Sequence, residues 1–173
     1  MALDDIRRDR IKKRERLEAS GREAYPASVK RTFLIGDFVK SFPKLASSKK
    51  KIAIAGRLRA WREHGGATFG DIQDGSGTVQ LYFSKDSLGK TYDDALALID
   101  IGDFLEITGS PFKTKRGEPT IRVAAWRMLS KSLLPLPEKW HGLKDVEERF
   151  RKRYLDLVMN EEVRERFLVR SRV

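Results

Sequence analysis

The chain has 173 residues, of which 40% are hydrophobic and 35% charged, and its formal net charge is +11. This length suits one domain with appendages, and the lack of cysteine excludes disulfides and cysteine-ligated metal sites. No apolar stretch approaches the roughly 18 residues of a membrane span, and acidic residues interrupt the Arg-rich N-terminus, which argues against a transit peptide. We therefore expect a cytoplasmic protein without a membrane partner.

The positive charge is unevenly distributed along the chain. Residues 51–130 carry 11 Lys or Arg against 10 Asp or Glu, so the flanks carry the other +10. Seven basic side chains fall within residues 7–16 alone. This basic run is either a solvated helix with a few apolar anchors or an electrostatic contact for a polyanion, and the sequence leaves both interpretations open.

Two helices are predicted before the first strand. The first spans residues 4–20 and ends at Gly21, because glycine readily takes the left-handed conformation that follows a helix. The second spans residues 32–42, with apolar side chains on one face and Thr32 as the N-cap. A polar joint over residues 47–51 leads to the next part of the chain.

From Ile52 to Leu129 the pattern becomes that of strands. Alternating apolar and polar residues predict a first strand that begins at Ile52, and later strands are predicted at residues 67–73, 78–83, 103–109 and 120–129. The Asp-Gly-Ser-Gly turn at 74–77 predicts a hairpin, since glycine tolerates positive φ. A helix over residues 87–99 separates the third strand from the fourth.

Three strands, a helix and two strands is the order of the five-stranded OB barrel, in which the helix plugs one end. The expected fold class is an all-β core with flanking helices, α+β overall: a Greek-key OB barrel with N-terminal helices and a C-terminal helical linker. The expected domains are a helical extension at 1–50, the barrel at 51–131, and the linker with the truncated start of a further domain at 132–173.

After the barrel, Asp145 followed by Glu148 has the form of a capping box. Val146, Phe150 and Tyr154 then begin an apolar stripe at helical spacing, and a second helical pattern starts near residue 160. A periodic apolar face that stops in mid-pattern has nothing to pack against. We therefore expect the sequence to be the front part of a larger protein.

This stretch resembles the segment that joins the N-terminal domain to the catalytic domain in class II lysyl-tRNA synthetases. The matching residues are Leu136-Pro137, His141-Gly142-Leu143, Asp145, Glu147, Arg149, Arg151 and Arg153-Tyr-Leu-Asp-Leu157. Upstream, Phe112-Lys-Thr-Lys-Arg-Gly-Glu118 and Phe69-Gly-Asp-Ile-Gln-Asp74 also match. The Arg-Tyr-Leu-Asp-Leu string alone suggests the aspartyl/asparaginyl/lysyl subgroup, and its combination with the other motifs points to the lysyl member.

The resemblance implies a homodimeric parent enzyme that uses ATP and Mg²⁺ to attach lysine to tRNA(Lys) through a lysyl-adenylate. The sequence itself shows no Gly-rich phosphate loop, no Ser/His/Asp arrangement and no convergent carboxylate pair. We therefore expect this chain to recognise the tRNA(Lys) anticodon stem-loop, with no cofactor or metal of its own and no catalytic activity. The alternatives are a free-standing OB module that binds tRNA or single-stranded nucleic acid in trans, and an interaction domain that dimerises through residues 145–173.

The candidate binding residues lie on the open face of the predicted barrel. Phe69 has small neighbours and can stack on a base, and Gln80 offers the donor and the acceptor that reading a base edge requires. By resemblance, these two residues stack on and read the central uridine of the lysine anticodon. An ordinary core position is the alternative for Phe69.

Two further groups of charged residues are weaker candidates. By resemblance, Arg62 and Glu118 occupy positions that contact the anticodon loop, and plain solvent exposure is the alternative for each. The basic turn is expected to contact phosphates through Lys113, Lys115 and Arg116. His64 is expected to be exposed in a loop.

Overall fold

The structure is a computed structural model that describes residues 2–48, 50–137 and 145–173. The chain forms two compact units, Met1–Leu134 and Pro135–Val173. In the first unit the helices are α1 (Leu3–Ala19), α2 (Ile35–Ser48), α3 (Lys85–Leu88) and α4 (Lys90–Leu98), and the strands are β1 (Ile52–His64), β2 (Ala67–Gln73), β3 (Thr78–Ser84), β4 (Phe104–Lys113) and β5 (Pro119–Ser130). In the second unit the helices are α5 (Val146–Arg151), α6 (Arg153–Met159) and α7 (Glu161–Arg170).

The five strands close into a barrel in the order β1–β2–β3–β5–β4. Neighbouring strands are antiparallel, except that β3 and β5 are parallel. This arrangement confirms the predicted five-stranded OB barrel with flanking helices. The fourth strand extends to Lys113 instead of ending at residue 109, because its pairing with β5 continues as far as Pro119.

The interior of the barrel is filled by aliphatic side chains that alternate with more exposed positions along each strand. Burial of one such side chain contributes about 1.5–3 kcal/mol. The fully buried side chains of the strands include Ile54, Leu58, Ile72, Leu81, Phe83, Leu105, Ile107 and Ile121. The residues between them on β2 and β3 therefore face outward, which places the candidate site on the outside of the sheet.

The α4 helix closes one end of the barrel. Its buried residues include Tyr92, whose hydroxyl lies 3.0 Å from the buried hydroxyl of Thr68 on β2. The single helix predicted over residues 87–99 is wrong in one respect, because the chain turns at Gly89, whose φ is +56°. That left-handed residue divides the segment into the short α3 helix and α4.

The α2 helix closes the opposite end, where β2 turns into β3. Its apolar face is buried through Phe38 and Phe42, whose rings pack edge to face with centroids 5.8 Å apart. The helix begins at Ile35, later than predicted, and it continues beyond the predicted end at residue 42 to Ser48. The exposed Pro43 lies inside this helix without ending it.

The β2–β3 turn supplies the cap of α2. The carboxylate of Asp74 accepts a hydrogen bond from the backbone N–H of Ile35 at 3.0 Å and from those of Ser76 and Gly77 in its own turn. Thr32, the predicted cap, instead exchanges hydrogen bonds with the backbone of Ala53 on β1. The hairpin is therefore organised by the Asp74 side chain, and the glycines with positive φ lie elsewhere in the chain.

Residues 22–34, which we call the strap, cross the outside of the barrel. The hydroxyl of Tyr25 donates to a carbonyl just after β5, and Arg127 of β5 donates to the carbonyl of Ser28. The backbone N–H of Lys30 donates to the carboxylate of Glu106 on β4 at 2.6 Å. The strap is therefore bonded to β5 and β4 before Thr32 reaches β1.

The α1 helix docks on the barrel through part of its basic run. Arg10 is 7% exposed, and its guanidinium donates to three backbone carbonyls, one after α4 and two after β5. The Lys13 ammonium lies 2.8 Å from the carboxylate of Asp100. The five remaining cations of residues 7–16 share α1 with five acidic residues. The polyanion interpretation of this run is therefore weakened, because the exposed part of α1 has no net charge.

The second unit contains the Arg153-Tyr-Leu-Asp-Leu157 string. Its Asp156 is fully buried and accepts hydrogen bonds from Arg149, Arg153 and Asn160. Burial opposes ionisation of this carboxyl, but the hydrogen bonds from Asn160 and Arg149 outweigh it and lower its pKa. The charged residues of the string therefore hold this unit together.

The predicted apolar stripe of the second unit is interrupted. Asp145 caps α5 as predicted, since its carboxylate accepts from the backbone N–H of Glu148 at 2.7 Å. The helix then breaks at Lys152, and Phe150 and Tyr154 are 69% and 64% exposed. The matching His141-Gly142-Leu143 lies outside the described residues.

Candidate nucleic-acid interface

A groove of about 1030 Å³ runs over the outer face of β1, β2 and β3 and is bordered by the β4–β5 loop. Six of the seven residues predicted for nucleic-acid contact line it: Arg62, Phe69, Gln80, Lys115, Arg116 and Glu118. Lys113, the last residue of β4, is exposed but is not part of this lining. The structure therefore brings the predicted residues together, while their role in binding stays a prediction.

Phe69 is half-buried on the outer face of β2. Its neighbours Thr68 and Gly70 are the buried positions of this strand, because side chains alternate between the two faces of a sheet. An ordinary core position for Phe69 is therefore excluded. The ring is available on the surface of the groove.

Phe69 belongs to a row of aromatic side chains. Its ring centroid is 5.1 Å from that of Tyr82, its cross-strand neighbour on β3, and Tyr82 is 5.7 Å from Phe112 of β4. His64 adds a ring 6.3 Å from Phe69 and is the last residue of β1, so its predicted loop position is wrong. Each flat face is a platform on which a base can stack.

Sequence reasoning missed two members of this row, Tyr82 and Phe112. The period of two residues along β3 was a usable signal, because it places Tyr82 on the same face as Gln80. Phe112 is the first residue of the Phe112–Glu118 motif that matches the lysyl-tRNA synthetases, but the sequence predicted no binding role for it. Its position beside Tyr82 depends on barrel closure, which no local pattern reveals.

The amide of Gln80 is held at both ends. Its Nε2 donates to the Glu118 carboxylate at 2.9 Å, and its Oε1 accepts from the Thr120 hydroxyl at 3.0 Å. An amide nitrogen has two N–H donors and an amide oxygen two lone pairs. Gln80 therefore keeps one donor and one acceptor for a ligand. Glu118, which was predicted to contact the RNA, orients the Gln80 amide.

Arg62 is also held in place. Its guanidinium makes a two-bond pair with the Asp71 carboxylate, at 2.9 and 3.1 Å. Hydrogen bonding to Asp71 raises the pKa of Arg62, with a further contribution from the charge of Glu118. Arg62 is solvent-exposed, as its alternative interpretation expected, but its charge is paired with Asp71. Arg62 is the cross-strand neighbour of Phe69 on β2, and its guanidinium has further N–H donors beyond the two bonded to Asp71.

The groove is more positive than the barrel as a whole. The described residues that line it include four cations and two carboxylates: Arg62, Lys115, Arg116, Arg122, Asp71 and Glu118. Arg122 lies over the ring of Phe112, with its guanidinium carbon 4.9 Å from the centroid. Lys115 and Arg116 stand on the β4–β5 turn, which closes at Gly117 with φ of +88°. Such cations attract phosphates without reading sequence.

The described residues contain neither a metal cluster nor a membrane-spanning helix. Across residues 2–48, 50–137 and 145–173, no three or more His, Cys, Asp or Glu side chains are grouped to hold a metal ion. Within those ranges, too, no helix is long and apolar enough to cross a membrane.

Comparison with known proteins agrees with this geometry. Residues 52–129 match the tRNA anticodon family, described as an OB-fold nucleic acid binding domain. The chain is 43% identical over 171 residues to a lysine–tRNA ligase of Carboxydothermus hydrogenoformans, an alignment that covers 99% of this chain and 35% of the relative. Lysine–tRNA ligases of Syntrophomonas wolfei and Thermoanaerobacter pseudethanolicus are 44% and 42% identical, each over 99% of this chain and 34% of the relative.

The chain thus spans about a third of the length of these curated relatives. The matched part contains the closed barrel, the aromatic groove and the Arg153-Tyr-Leu-Asp-Leu157 string. These findings show that the chain corresponds to the N-terminal, anticodon-binding OB-fold part of lysine–tRNA ligases.

Proposed function

We propose that the groove binds the anticodon stem-loop of tRNA(Lys). Phe69 stacks on the central uridine, and Gln80 reads its Watson–Crick edge. Uracil presents an N3–H donor between two carbonyl acceptors, which matches the donor and acceptor that Gln80 has left. Arg62 holds the neighbouring part of the loop, while Lys113, Lys115 and Arg116 contact phosphates.

The observation that carries this proposal is the pairing of a stacking surface with an oriented amide. Phe69 and Tyr82 form a platform on adjacent strands, and Gln80 lies two residues from Tyr82 on the same face of β3. Single-stranded bases are recognised by stacking together with hydrogen bonds to their edges. A groove that attracted phosphates alone would need neither feature.

In this proposal the chain acts as the N-terminal part of a cytoplasmic, homodimeric lysine–tRNA ligase. Residues 1–50 form a helical extension, 51–131 the anticodon-binding domain, and 132–173 the linker and start of the catalytic domain. The ligase as a whole uses ATP and Mg²⁺ to form lysyl-adenylate and then lysyl-tRNA. This chain supplies tRNA recognition, and we expect no lysine-dependent ATP–pyrophosphate exchange from it alone.

The test is a titration of RNA stem-loops that carry U or C at the central anticodon position. Phe69→Ala should weaken binding of the U stem-loop by about 1–3 kcal/mol, because one stacking platform is lost. Gln80→Ala should mainly flatten the preference for U over C. Phe150→Ala removes an exposed phenylalanine from the second unit and is the matched control, for which no change is expected.

Equal binding of both stem-loops by the native chain, together with no effect of Phe69→Ala, would contradict the proposal. A free-standing OB module that binds nucleic acid without base preference would then be the better description. In that case a strong salt dependence would remain, because phosphate contacts alone would carry the affinity.

A further inference from the structure

The outward face of α2 carries a set of lysines that the proposed function does not use. Phe38 and Phe42 turn the other face of this helix into the barrel. Lys40 and Lys44, one helical turn apart, are exposed on the opposite side. Lys50 and Lys51 follow the helix and are also exposed. We call Lys40, Lys44, Lys50 and Lys51 the α2 lysine surface.

The charged groups of these lysines differ from those of Arg10 and Lys13 on α1, which bind other parts of the chain. In the part of the chain that the structure describes, none of their ammonium groups forms an ion pair or a hydrogen bond. On α1, by contrast, Arg10 is buried and Lys13 pairs with Asp100. The acidic residue of α2 is Asp37 alone. The α2 lysine surface is therefore strongly positive, and no carboxylate among the described residues pairs with it.

The helix that carries this surface adjoins the groove at its first turn. The first turn of α2 is bonded to the β2–β3 turn, where Asp74 and Ser76 accept from the backbone N–H groups of Ile35 and Gly36. Thr78 and Val79, directly after that turn, line the groove. The basic β4–β5 loop belongs to the same end of the barrel, because β3 and β5 begin there and β4 ends there.

We propose that the α2 lysine surface binds phosphates of the RNA stem that continues from a loop held in the groove. This inference rests on the proposed function, since the loop must occupy the groove first. A strand that leaves the groove past the β2–β3 turn comes to α2 next. Lysine suits this task because its ammonium is a flexible point charge that contacts phosphate without reading sequence. The continuity with the groove and the excess of positive charge favour RNA over an acidic protein.

The experiment compares two double substitutions that remove the same charge. Lys40→Gln with Lys44→Gln neutralises the proposed surface. Lys85→Gln with Lys90→Gln neutralises two exposed lysines on α3 and α4, at the opposite end of the barrel. Each protein is titrated over a range of salt concentrations with the U stem-loop and with its isolated single-stranded loop.

For the stem-loop, we expect the salt slope of the first variant to fall by about 1 per lysine, because each phosphate contact releases about one counterion. Its binding of the isolated loop should equal that of the native chain, and the second variant should match the native chain on both RNAs. Lys40→Arg with Lys44→Arg should retain the native slope, which would exclude a folding defect as the cause.

An unchanged stem-loop slope in the neutralised α2 variant would overturn the inference. So would an equal loss by the variant at the opposite end, because that would show a diffuse charge effect. Failure of the proposed function looks different, since the native chain would then show no preference for U in the isolated loop and Phe69→Ala would have no effect on it.

Discussion

The amide of Gln80 can point either way in the groove, and its neighbours decide which. A carboxylate such as that of Glu118 can only accept a hydrogen bond, so it requires the NH₂ end. The Thr120 hydroxyl donates to the opposite end. A flipped amide would place two acceptors together beside Glu118 and would lose that contact, and the Thr120 hydroxyl would have to accept a hydrogen bond instead of donating one. The donor and the acceptor offered to a base are thereby fixed before it arrives.

Thr120 is therefore expected to act as a positioning residue. Thr120→Val keeps the shape of the side chain and removes the hydroxyl, so one of the two restraints on the Gln80 amide is lost. We expect the preference for U over C at the central position to fall by about fivefold, equivalent to about 1 kcal/mol. Paired titrations of the U and C stem-loops measure this ratio.

Thr108→Val is the matched control, since Thr108 lies on β4 outside the groove lining. It should leave the ratio at its native value. An unaltered ratio in Thr120→Val would show that Glu118 alone orients the amide.

For single residues, the sequence indicates which side chains can bind a base better than it indicates which other side chains they contact. A glutamine in the middle of a strand can be predicted to bind a base edge, because its amide offers a donor and an acceptor and the alternation of side chains along the strand shows which face it occupies. Its two partners lie 38 and 40 residues further along the chain. Their contact with Gln80 depends on β5 pairing with β3, which a local pattern cannot specify. Glu118 was accordingly predicted as a direct contact and not as the group that orients Gln80.

The α2 helix is an element whose existence was predictable from the sequence, although its ends were not. Its apolar spacing predicted a helix, and Thr32 was the natural cap because threonine often accepts from the first turn. The actual cap comes from Asp74, 39 residues beyond Ile35. The capping rule favoured the nearest suitable side chain, whereas the barrel brought a better acceptor from the β2–β3 turn.

The two capping assignments make different predictions for mutants. Asp74→Ala should destabilise the protein by about 0.5–2 kcal/mol, the usual cost of losing an N-cap, and should speed amide exchange in the first turn of α2. Thr32→Ala should loosen the contact between the strap and Ala53 and leave exchange in α2 unchanged. Denaturant unfolding and hydrogen exchange at Phe38 measure these effects.

Rapid exchange in α2 after Thr32→Ala, with none after Asp74→Ala, would restore the cap expected from the sequence. Asp74→Asn retains one oxygen acceptor, so it should fall between the native chain and Asp74→Ala.

For the molecule as a whole, the element order and the matching motifs were enough for the barrel and its topology. The docking of α1 and the strap was not predictable, because their contacts join residues about 76 to 124 positions apart. The positive charge of the α1 basic run was also a poor guide to the exposure of its side chains. Arg10 reads as an exposed cation in a basic run, yet only the finished barrel supplies the carbonyl groups that bury it.

The buried carboxylates predict that acid destabilises the barrel. Burial opposes ionisation of Asp100 and Glu106, but hydrogen bonds from Lys13 and Lys131 to the first, and from Arg127 and the strap to the second, lower both pKa values. A pKa that is lower in the folded state gives stability that is present at neutral pH. It is lost as the pH falls below about 4, the ordinary range of these groups, and through the lowered value.

Asp103 acts in the opposite sense, since burial raises its pKa despite the charge of Lys131. Protonation of Asp103 in the folded state therefore offsets part of the stability that Asp100 and Glu106 lose as the pH falls. The pKa values of Asp74 and Asp156 are lowered as well, so the carboxyls with lowered pKa values outnumber Asp103. Urea unfolding should therefore show lower stability near pH 3 than near pH 7. Glu106→Gln should cost about 1–3 kcal/mol at pH 7 and narrow the difference between the two pH values. An equal difference in the native chain and this variant would contradict the assignment.

Translation delivers the strap and its barrel partners at very different times. The ribosome makes the strap before the strands that bind it. Glu106 follows Lys30 by 76 residues, Arg127 follows Ser28 by 99, and Lys131 follows Tyr25 by 106. Contacts across such separations form late, because a long loop must close before they are made. The strap, which is made before its partners, is therefore expected to dock after them, and Arg10 of α1 can complete its hydrogen bonds to the carbonyls after β5 only when that strand has been made.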